Sequence, residues 1–379
     1  MLKVHGVHGG HGRVDFTGTD PGLEIIYWDG ELVAEDGSSL GIYAPAENYG
    51  LVDGGSGFID FAPSVAAPVR SWGTFRADPT GDLHLGDGWG SRSVLDLGGA
   101  TIEGRVKVAG PVTAEGLEVR GDLETVPPAE GYEGGRLDVG TLELFDGASV
   151  AGDGVVIGEV NSRLSPTGTA SLSGAEVTGE VWAWSGTLSV PSLAPATLTE
   201  DGTLVQGQWV ALTGATIDLP AITTNDAWLQ LDRGASFGDG LTNLTGNGPN
   251  ANLLLGDDLA VAGPFRNEGV LYLAPRSRLD VGGKFRQTAT GVLVTRVDST
   301  GRGRVRAAGP RDLAGELWID RDPAYKPPVG TVLNFITSAG AKSADDAFDR
   351  VSSSRYGTTR KIQPTYDTNH VRLRVDRVG

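Results

Sequence analysis

Acidic and basic side chains of residues 105–122 form the part of the sequence best suited to catalysis. Glu115, Glu118 and Asp122 lie within eight positions of one another, with Arg105 and Arg120 nearby. Polysaccharide hydrolases use two carboxylates as acid and base, and lyases use a basic residue beside an acidic cleft. The three acids are therefore candidate catalytic residues. The alternative is the plain outer face of alternating strands, since no histidine or nucleophile motif accompanies them.

A pair of tryptophans indicates a second kind of site, a ligand-binding surface. Trp182 and Trp184 are two positions apart, so in a strand they share one face. If the residues before and between them point inward, both indoles point outward, where they can stack on sugar rings. Trp209 and Trp228 recur later in the chain and are predicted to extend this stripe. The alternative is that the tryptophans cover a loop.

The sequence gives no clear signal for a cofactor. Cysteine is absent, which excludes disulfides and thiolate metal sites. His5, His8 and His11 have ligand chemistry for a divalent metal, but the glycines between them favour a mobile terminus. Isolated Ca²⁺ sites at acidic turns such as Asp257-Asp258 remain an alternative to simple solvation.

Short strands must position all of these residues, because a degenerate repeat dominates the chain. Runs with apolar alternation open on Gly or Asn and close at glycine-rich turns, and they recur roughly every 16–28 residues. One type comprises Gly140–Leu144, Gly186–Val190, Gly202–Gln206, Asn252–Leu255, Gly269–Leu273 and Gly291–Val294. The other comprises Gly99–Ile102, Gly147–Val150, Gly174–Val177, Gly214–Ile217 and Gly234–Phe237. Such recurrence predicts a solenoid whose coils stack a continuous apolar core.

Composition and charge restrict the partners. The net charge is −17, which argues against nucleic acid because phosphate binding needs a basic surface. The segment from Arg296 onward holds 15 Lys and Arg against 10 Asp and Glu, so its mild basicity is either a solvated face or a binding feature. No apolar stretch is long enough to span a membrane. Carbohydrate or a surface protein is the expected partner.

The most specific pattern runs from Phe265 to Leu293. It reads N-x-G-x-L-x-L-x-P-x-S-x-L-x-V-x-G-x-F-x-Q-x-x-x-G-x-L from Asn267 onward. This segment, with the β-rich residues to 379, resembles the terminal coils of bacterial exported β-helix proteins of the passenger, haemagglutinin-like type. The resemblance implies a right-handed β-helix at the cell surface or outside the cell, with its signal peptide not in this chain. It implies no shared activity, since passengers include adhesins, proteases and inert stalks.

We therefore expect an all-β, right-handed parallel β-helix solenoid with β-rich ends. Residues 1–90 are predicted to form a β-rich cap or small β domain, residues 91–298 the repeats, and residues 299–379 a C-terminal β cap. One short helix is predicted at Ser343–Val351. The expected function is a non-enzymatic binding or display scaffold, adhesin-like and glycan-binding through exposed aromatics. A polysaccharide-degrading enzyme and a structural stalk are the alternatives.

Overall fold

The computed structural model describes most of the chain in two compact units, Met1–Ala194 and Pro195–Gly379. The described residues are 2–4, 7–9, 12–14, 26–28, 31–33, 39–42, 46–53, 58–61, 69–77, 82–85, 95–127, 134–339, 346–353 and 360–377. Their side chains are described from residue 49 onward, except at 58–61, 69–70, 82 and 360. Within these ranges the chain contains strands and turns but no helix. The strands stack in parallel, which confirms the predicted all-β solenoid. Its right-handed sense and its caps stay predictions.

The described strands of the first unit are 2 to 17 residues long. Its strands are β1 (Leu2–Val4), β2 (Val7–Gly9), β3 (Gly12–Val14), β4 (Ile26–Trp28), β5 (Glu31–Val33), β6 (Ser39–Ile42), β7 (Ala46–Asn48), β8 (Leu51–Asp53), β9 (Phe58–Phe61), β10 (Val69–Ser71), β11 (Thr74–Ala77), β12 (Asp82–Leu85), β13 (Leu95–Asp96), β14 (Gly99–Val108), β15 (Pro111–Val119), β16 (Asp122–Thr125), β17 (Arg136–Leu144), β18 (Ser149–Ala151), β19 (Val155–Arg163), β20 (Thr169–Ser173) and β21 (Glu176–Ser192).

The parallel ladders of this unit begin in its first strands. Strand β1 pairs with β4, β4 with β7, β7 with β10 and β10 with β13, all in parallel. Strands β3, β6, β9, β12 and β14 form a second such ladder. Both ladders thus contain strands from either side of residue 90, and the first compact unit extends to Ala194. The division into residues 1–90, 91–298 and 299–379 stays a prediction.

Stacked aliphatic side chains form the core of the first unit. One inward column contributes one residue from each of five successive strands, in register and at most 2% exposed: Ala100, Leu117, Leu142, Val160 and Val181. Burying each larger side chain contributes about 1.5–3 kcal/mol. Strand alternation then directs the intervening side chains to the outer face, which is where a ligand would bind.

The second unit repeats this plan with shorter strands. They are β22 (Thr203–Leu204), β23 (Gln208–Ala211), β24 (Ala215–Asp218), β25 (Thr224–Asn225), β26 (Trp228–Leu231), β27 (Gly246–Asn247), β28 (Asn252–Leu255), β29 (Leu259–Val261), β30 (Phe265–Asn267), β31 (Val270–Leu273), β32 (Arg278–Val281), β33 (Phe285–Gln287), β34 (Val292–Val297), β35 (Arg304–Ala307), β36 (Arg311–Asp312), β37 (Glu316–Arg321), β38 (Val332–Ser338), β39 (Arg350–Ser353), β40 (Arg360–Tyr366) and β41 (His370–Arg377).

A buried ladder of side-chain amides runs through the second unit. Asn225 donates to Asn247 over 2.9 Å, Asn247 to Asn267 over 2.9 Å, and Asn267 to Gln287 over 3.1 Å. All four amides are at most 1% exposed. Each amide donates a hydrogen bond to the amide on the next strand, so these polar residues have hydrogen-bond partners inside an otherwise apolar core.

The pairing becomes antiparallel near the C-terminus. Strand β41 pairs antiparallel with both β38 and β40. A buried ion pair of 2.7 Å between Arg311 and Asp346 lies in this region, and both side chains are 0% exposed. The arginine also donates to the Ser338 hydroxyl over 3.0 Å and to the Asp367 carbonyl over 2.6 Å.

The helix predicted at Ser343–Val351 is wrong for its described part, residues 346–351. Asp346 is held by Arg311, and the Asp349 carboxylate accepts a hydrogen bond of 2.5 Å from the Gly315 amide. Strand β39 then pairs in parallel with β37. These long-range contacts override the weak local helix pattern.

Candidate ligand-binding face

The two neighbouring tryptophans lie together on the outer face of the first unit. Strand β21 places Val181 and Ala183 in the core, each 0% exposed, so Trp182 and Trp184 project outward. Their rings stack with centroids 6.1 Å apart and planes 26° apart. Trp184 is 53% exposed, and Trp182 is half-buried. The pair therefore presents aromatic surface to solvent, as the alternation predicts.

Hydrogen bonds donated by both indole nitrogens fix the orientation of the rings. The Trp182 Nε1 donates to Glu180 over 2.8 Å, and the Trp184 Nε1 donates to the Asn161 side-chain oxygen over 3.4 Å. The Asn161 amide in turn donates to Glu159 over 2.8 Å. A binding surface whose rotamers are already held loses less conformational entropy when a ligand arrives.

Acidic residues from neighbouring strands surround the tryptophan pair. In the parallel register Glu159 is beside Glu180, and Asn161 lies between Glu143 and Trp182. We call the six residues Glu143, Glu159, Asn161, Glu180, Trp182 and Trp184 the Trp–Glu face.

One cation lies close to this face. The Arg163 guanidinium is 3.0 Å from the Glu143 carboxylate. Residues 1–194 as a whole hold 10 Lys and Arg against 28 Asp and Glu. The Trp–Glu face therefore combines aromatic surface, hydrogen-bond acceptors and negative potential, which suits a ligand with hydroxyl or amino groups and disfavours an anion.

The other two predicted tryptophans belong to the second unit and differ from each other. Trp209 is 0% exposed, and its Nε1 donates to the Gln206 carbonyl over 3.3 Å. It is a core residue and does not extend an exposed stripe, because Trp209, Val210 and Ala211 are all buried and break the expected alternation. Trp228 is half-buried, and its Nε1 has neither solvent contact nor a hydrogen-bond partner.

The three candidate catalytic acids do not converge on one face. Glu115 is exposed at the middle of β15, and Glu118 lies on the same strand beside Glu143. Asp122 starts β16, which belongs to a different ladder. The Glu118 carboxylate also forms an ion pair of 3.1 Å with the guanidinium of Arg120.

Of the three candidate acids, only Asp122 lines a groove of about 520 Å³. Its charged lining residues are Arg105, Arg120, Asp122 and Glu124. The Arg105 guanidinium is 3.8 Å from Glu124, and that of Arg120 lies 3.8 Å from the ring centroid of Phe145. The groove keeps one predicted acid and both predicted arginines together.

Metal ligands do not cluster in the described part of the chain. No group of three or more His, Asp or Glu side chains there is arranged to hold a metal ion. The Asp257 carboxylate accepts hydrogen bonds from the amides of Gly234 and Asp258, over 2.7 and 2.8 Å. Asp258 pairs with Arg278 over 3.1 Å. The side chains of the N-terminal histidines lie outside the described residues.

Reasoning from the sequence missed the partners of the tryptophan pair. Glu180 has a short-range signal, since it precedes Trp182 by two positions and shares its face. Glu159 and Asn161 sit 21 residues before Glu180 and Trp182, within the range of repeat lengths read from the sequence. If the alignment of successive repeats were known from the sequence, it would place Glu159 and Asn161 on the strand next to the tryptophan pair.

A second stacked aromatic pair, Tyr49 and Trp72, lies farther toward the N-terminus. Their centroids are 5.0 Å apart with an interplanar angle of 11°, and the residues are 44% and 43% exposed. Trp72 also packs against Gly98, where a Cβ would come within 2.7 Å of the indole nitrogen. Since Tyr49 and Trp72 are each less exposed than Trp184, each offers less free ring surface than Trp184 does.

No model of a known protein family matches the chain, and no curated protein sequence matches it. Among the described residues, no helix has the length and apolar character needed to cross a membrane.

Proposed function

We propose that this protein is a non-enzymatic β-solenoid scaffold, outside the cell or on its surface, that binds carbohydrate at the Trp–Glu face. The observation that carries the proposal is the stacked, solvent-facing indole pair held by Glu180 and Asn161. Aromatic rings provide apolar surface for the flat face of a sugar, and adjacent carboxylates and amides accept hydrogen bonds from its hydroxyl groups.

Charge narrows the class of glycan. Glu159 and Glu180 are neighbours in register, and neither has an Arg, Lys or His within 4.0 Å among the described residues. A uronic acid or sulfated sugar would meet like charge at this point, whereas a neutral or amino sugar would not. The proposed ligand is therefore a neutral or amino-bearing glycan. It binds on a face formed by parallel strands, which lie about 4.8 Å apart.

A glycan array followed by calorimetric titration tests this proposal. Trp184→Ala should weaken binding of the best neutral or amino glycan about tenfold, the equivalent of about 1.4 kcal/mol. Trp318→Ala is the matched control, because Trp318 is 51% exposed on the other unit. Equal affinities for the two variants, or an array without any binder, would refute the proposal.

A polysaccharide-degrading enzyme is the second candidate, and the groove beside Asp122 favours it. This groove brings the carboxylates of Asp122 and Glu124 together with Arg105 and Arg120. Incubation with neutral and acidic polysaccharides, followed by a reducing-end assay, distinguishes the two functions. Cleavage that Asp122→Asn abolishes would establish the enzyme, and intact polymers would leave the binding scaffold.

A further inference from the structure

Three arginines in β35 and just before it form no ion pair with the described carboxylates. None of the guanidinium groups of Arg302, Arg304 and Arg306 has a carboxylate within 4.0 Å among the described residues. The neighbouring Arg278, by contrast, is 3.1 Å from Asp258 and 2.7 Å from Asp280. Within the described part of the chain these three arginines thus form no ion pair, although most other arginines there do.

The fold holds these charges close together. Val305 and Ala307 point into the core at 1% and 4% exposure, so Arg304 and Arg306 project from the outer face. Arg304 lies directly beside Arg278 in the parallel register, and like charges in such positions repel. The Arg304 Nε is buried without a hydrogen-bond partner. Burial lowers the pKa of the Arg302 guanidinium, and the charge of Arg304 lowers it further.

A groove opens next to this cluster. It has a volume of about 480 Å³, and Arg306 forms part of its wall together with small residues such as Ala260, Gly282 and Ala308. Asp280 also lines the groove. One of its carboxylate oxygens accepts a hydrogen bond of 2.7 Å from Arg278, and Asp280 lies beside Arg306 in the parallel register.

The surrounding unit does not share the acidity of the rest of the chain. Residues 195–379 hold 21 Lys and Arg against 20 Asp and Glu, whereas residues 1–194 hold 10 against 28. An anion approaching the arginine cluster therefore avoids the repulsion that it would meet at the Trp–Glu face.

We propose that Arg304 and Arg306, assisted by Arg302, bind an oxyanion group of a ligand whose body lies in the adjacent groove. The shared chemistry is that of carboxylate, sulfate or phosphate, to which guanidinium groups donate parallel hydrogen bonds. This site belongs to the second unit and the Trp–Glu face to the first, and its ligand is anionic.

Calorimetry at low ionic strength with three probes tests the site. The probes are inorganic sulfate, inorganic phosphate and a trigalacturonate. Similar affinity for all three identifies a site for simple oxyanions, and preference for the trigalacturonate identifies an acidic saccharide that uses the groove. Both outcomes support the proposal, and wild-type protein that binds none of the probes overturns it.

Charge-matched variants locate the binding. Arg306→Gln should weaken the best probe at least tenfold, while Arg233→Gln should change it less than about twofold. Arg233 is an exposed arginine of the same unit, so both variants lose one positive charge. Asp280→Asn should tighten binding, because it removes a negative charge from the wall of the groove. Equal effects of Arg306→Gln and Arg233→Gln, or weaker binding by Asp280→Asn, would contradict the assignment.

Discussion

The amide ladder of the second unit predicts a large local cost for one small substitution, Asn247→Ala. The Asn247 side chain is 0% exposed. Its Nδ2 donates to Asn267 over 2.9 Å and to the Val270 carbonyl over 3.0 Å, and its Oδ1 accepts from Asn225 over 2.9 Å. Alanine removes all three hydrogen bonds.

The magnitude follows from the groups left behind. The Asn267 side-chain oxygen loses its donor, and the Asn225 amide retains only a contact of 3.4 Å to the Asn252 carbonyl. An unsatisfied buried polar group costs about 1–3 kcal/mol, so two of them cost about 2–6 kcal/mol. Because stability in a solenoid is the sum of local terms, this loss should be concentrated in the strands next to residue 247.

Native-state hydrogen exchange with mass spectrometry measures such local stability. Peptides covering β25, β27 and β30 should lose protection in Asn247→Ala by the amount given above, while those of the first unit remain unchanged. Asn243→Ala is the control, since Asn243 is exposed and only four residues away, and it should cost less than about 0.5 kcal/mol. Equal protection in the two variants would refute the ladder as a stabilising element.

Three further predictions concern the second unit. Trp209→Ala should destabilise the protein by about 3–5 kcal/mol in denaturant unfolding, because it empties a core position; a variant as stable as wild type would contradict the buried placement. Arg311→Ala should cost about 3–5 kcal/mol in the same assay by removing the cation beside the buried Asp346 carboxylate, whereas a loss below 1 kcal/mol would indicate that water replaces the arginine. Burial acts to raise the pKa of Asp367, but hydrogen bonds from backbone amides two and three residues later and from His370 lower it to about 2 from 3.8. Because the folded pKa is the lower one, the carboxylate stabilises the fold above pH 3.8 and loses this contribution as the pH falls towards 2. Asp367→Asn should remove that part of the acid dependence of Tm, and an unchanged dependence would exclude it.

Strand positions could be predicted from the sequence because alternation and glycine placement are local signals. The runs Gly140–Leu144 and Gly269–Leu273 fall in β17 and β31, and their leucines are 0% exposed. Residues of the specific pattern from Asn267 to Leu293 make the contacts that hold successive coils together. Asn267 and Gln287 belong to the amide ladder, and Phe285 stacks on Phe265 with centroids 6.4 Å apart.

Side-chain partners on neighbouring strands could not be read in the same way. They depend on the register between repeats of unequal length, and the amide ladder shows this, since its members are separated by 22, 20 and 20 residues. The sequence predicts Trp209 to lie on the exposed stripe. This position could not be predicted correctly, because three consecutive buried residues do not follow the inward and outward alternation of a strand. The ion pair of Arg311 and Asp346 joins residues 35 positions apart and likewise leaves no local signal.

In the proposed function, one exposed indole of the first unit contacts the ligand, and exposed aromatic residues elsewhere do not. The most direct measurement is the ratio of glycan dissociation constants for Trp184→Ala and Trp318→Ala, determined on the same preparation with unfolding midpoints as a check. We predict a ratio of about ten, with both variants folded. A ratio near one would contradict the assignment of the Trp–Glu face.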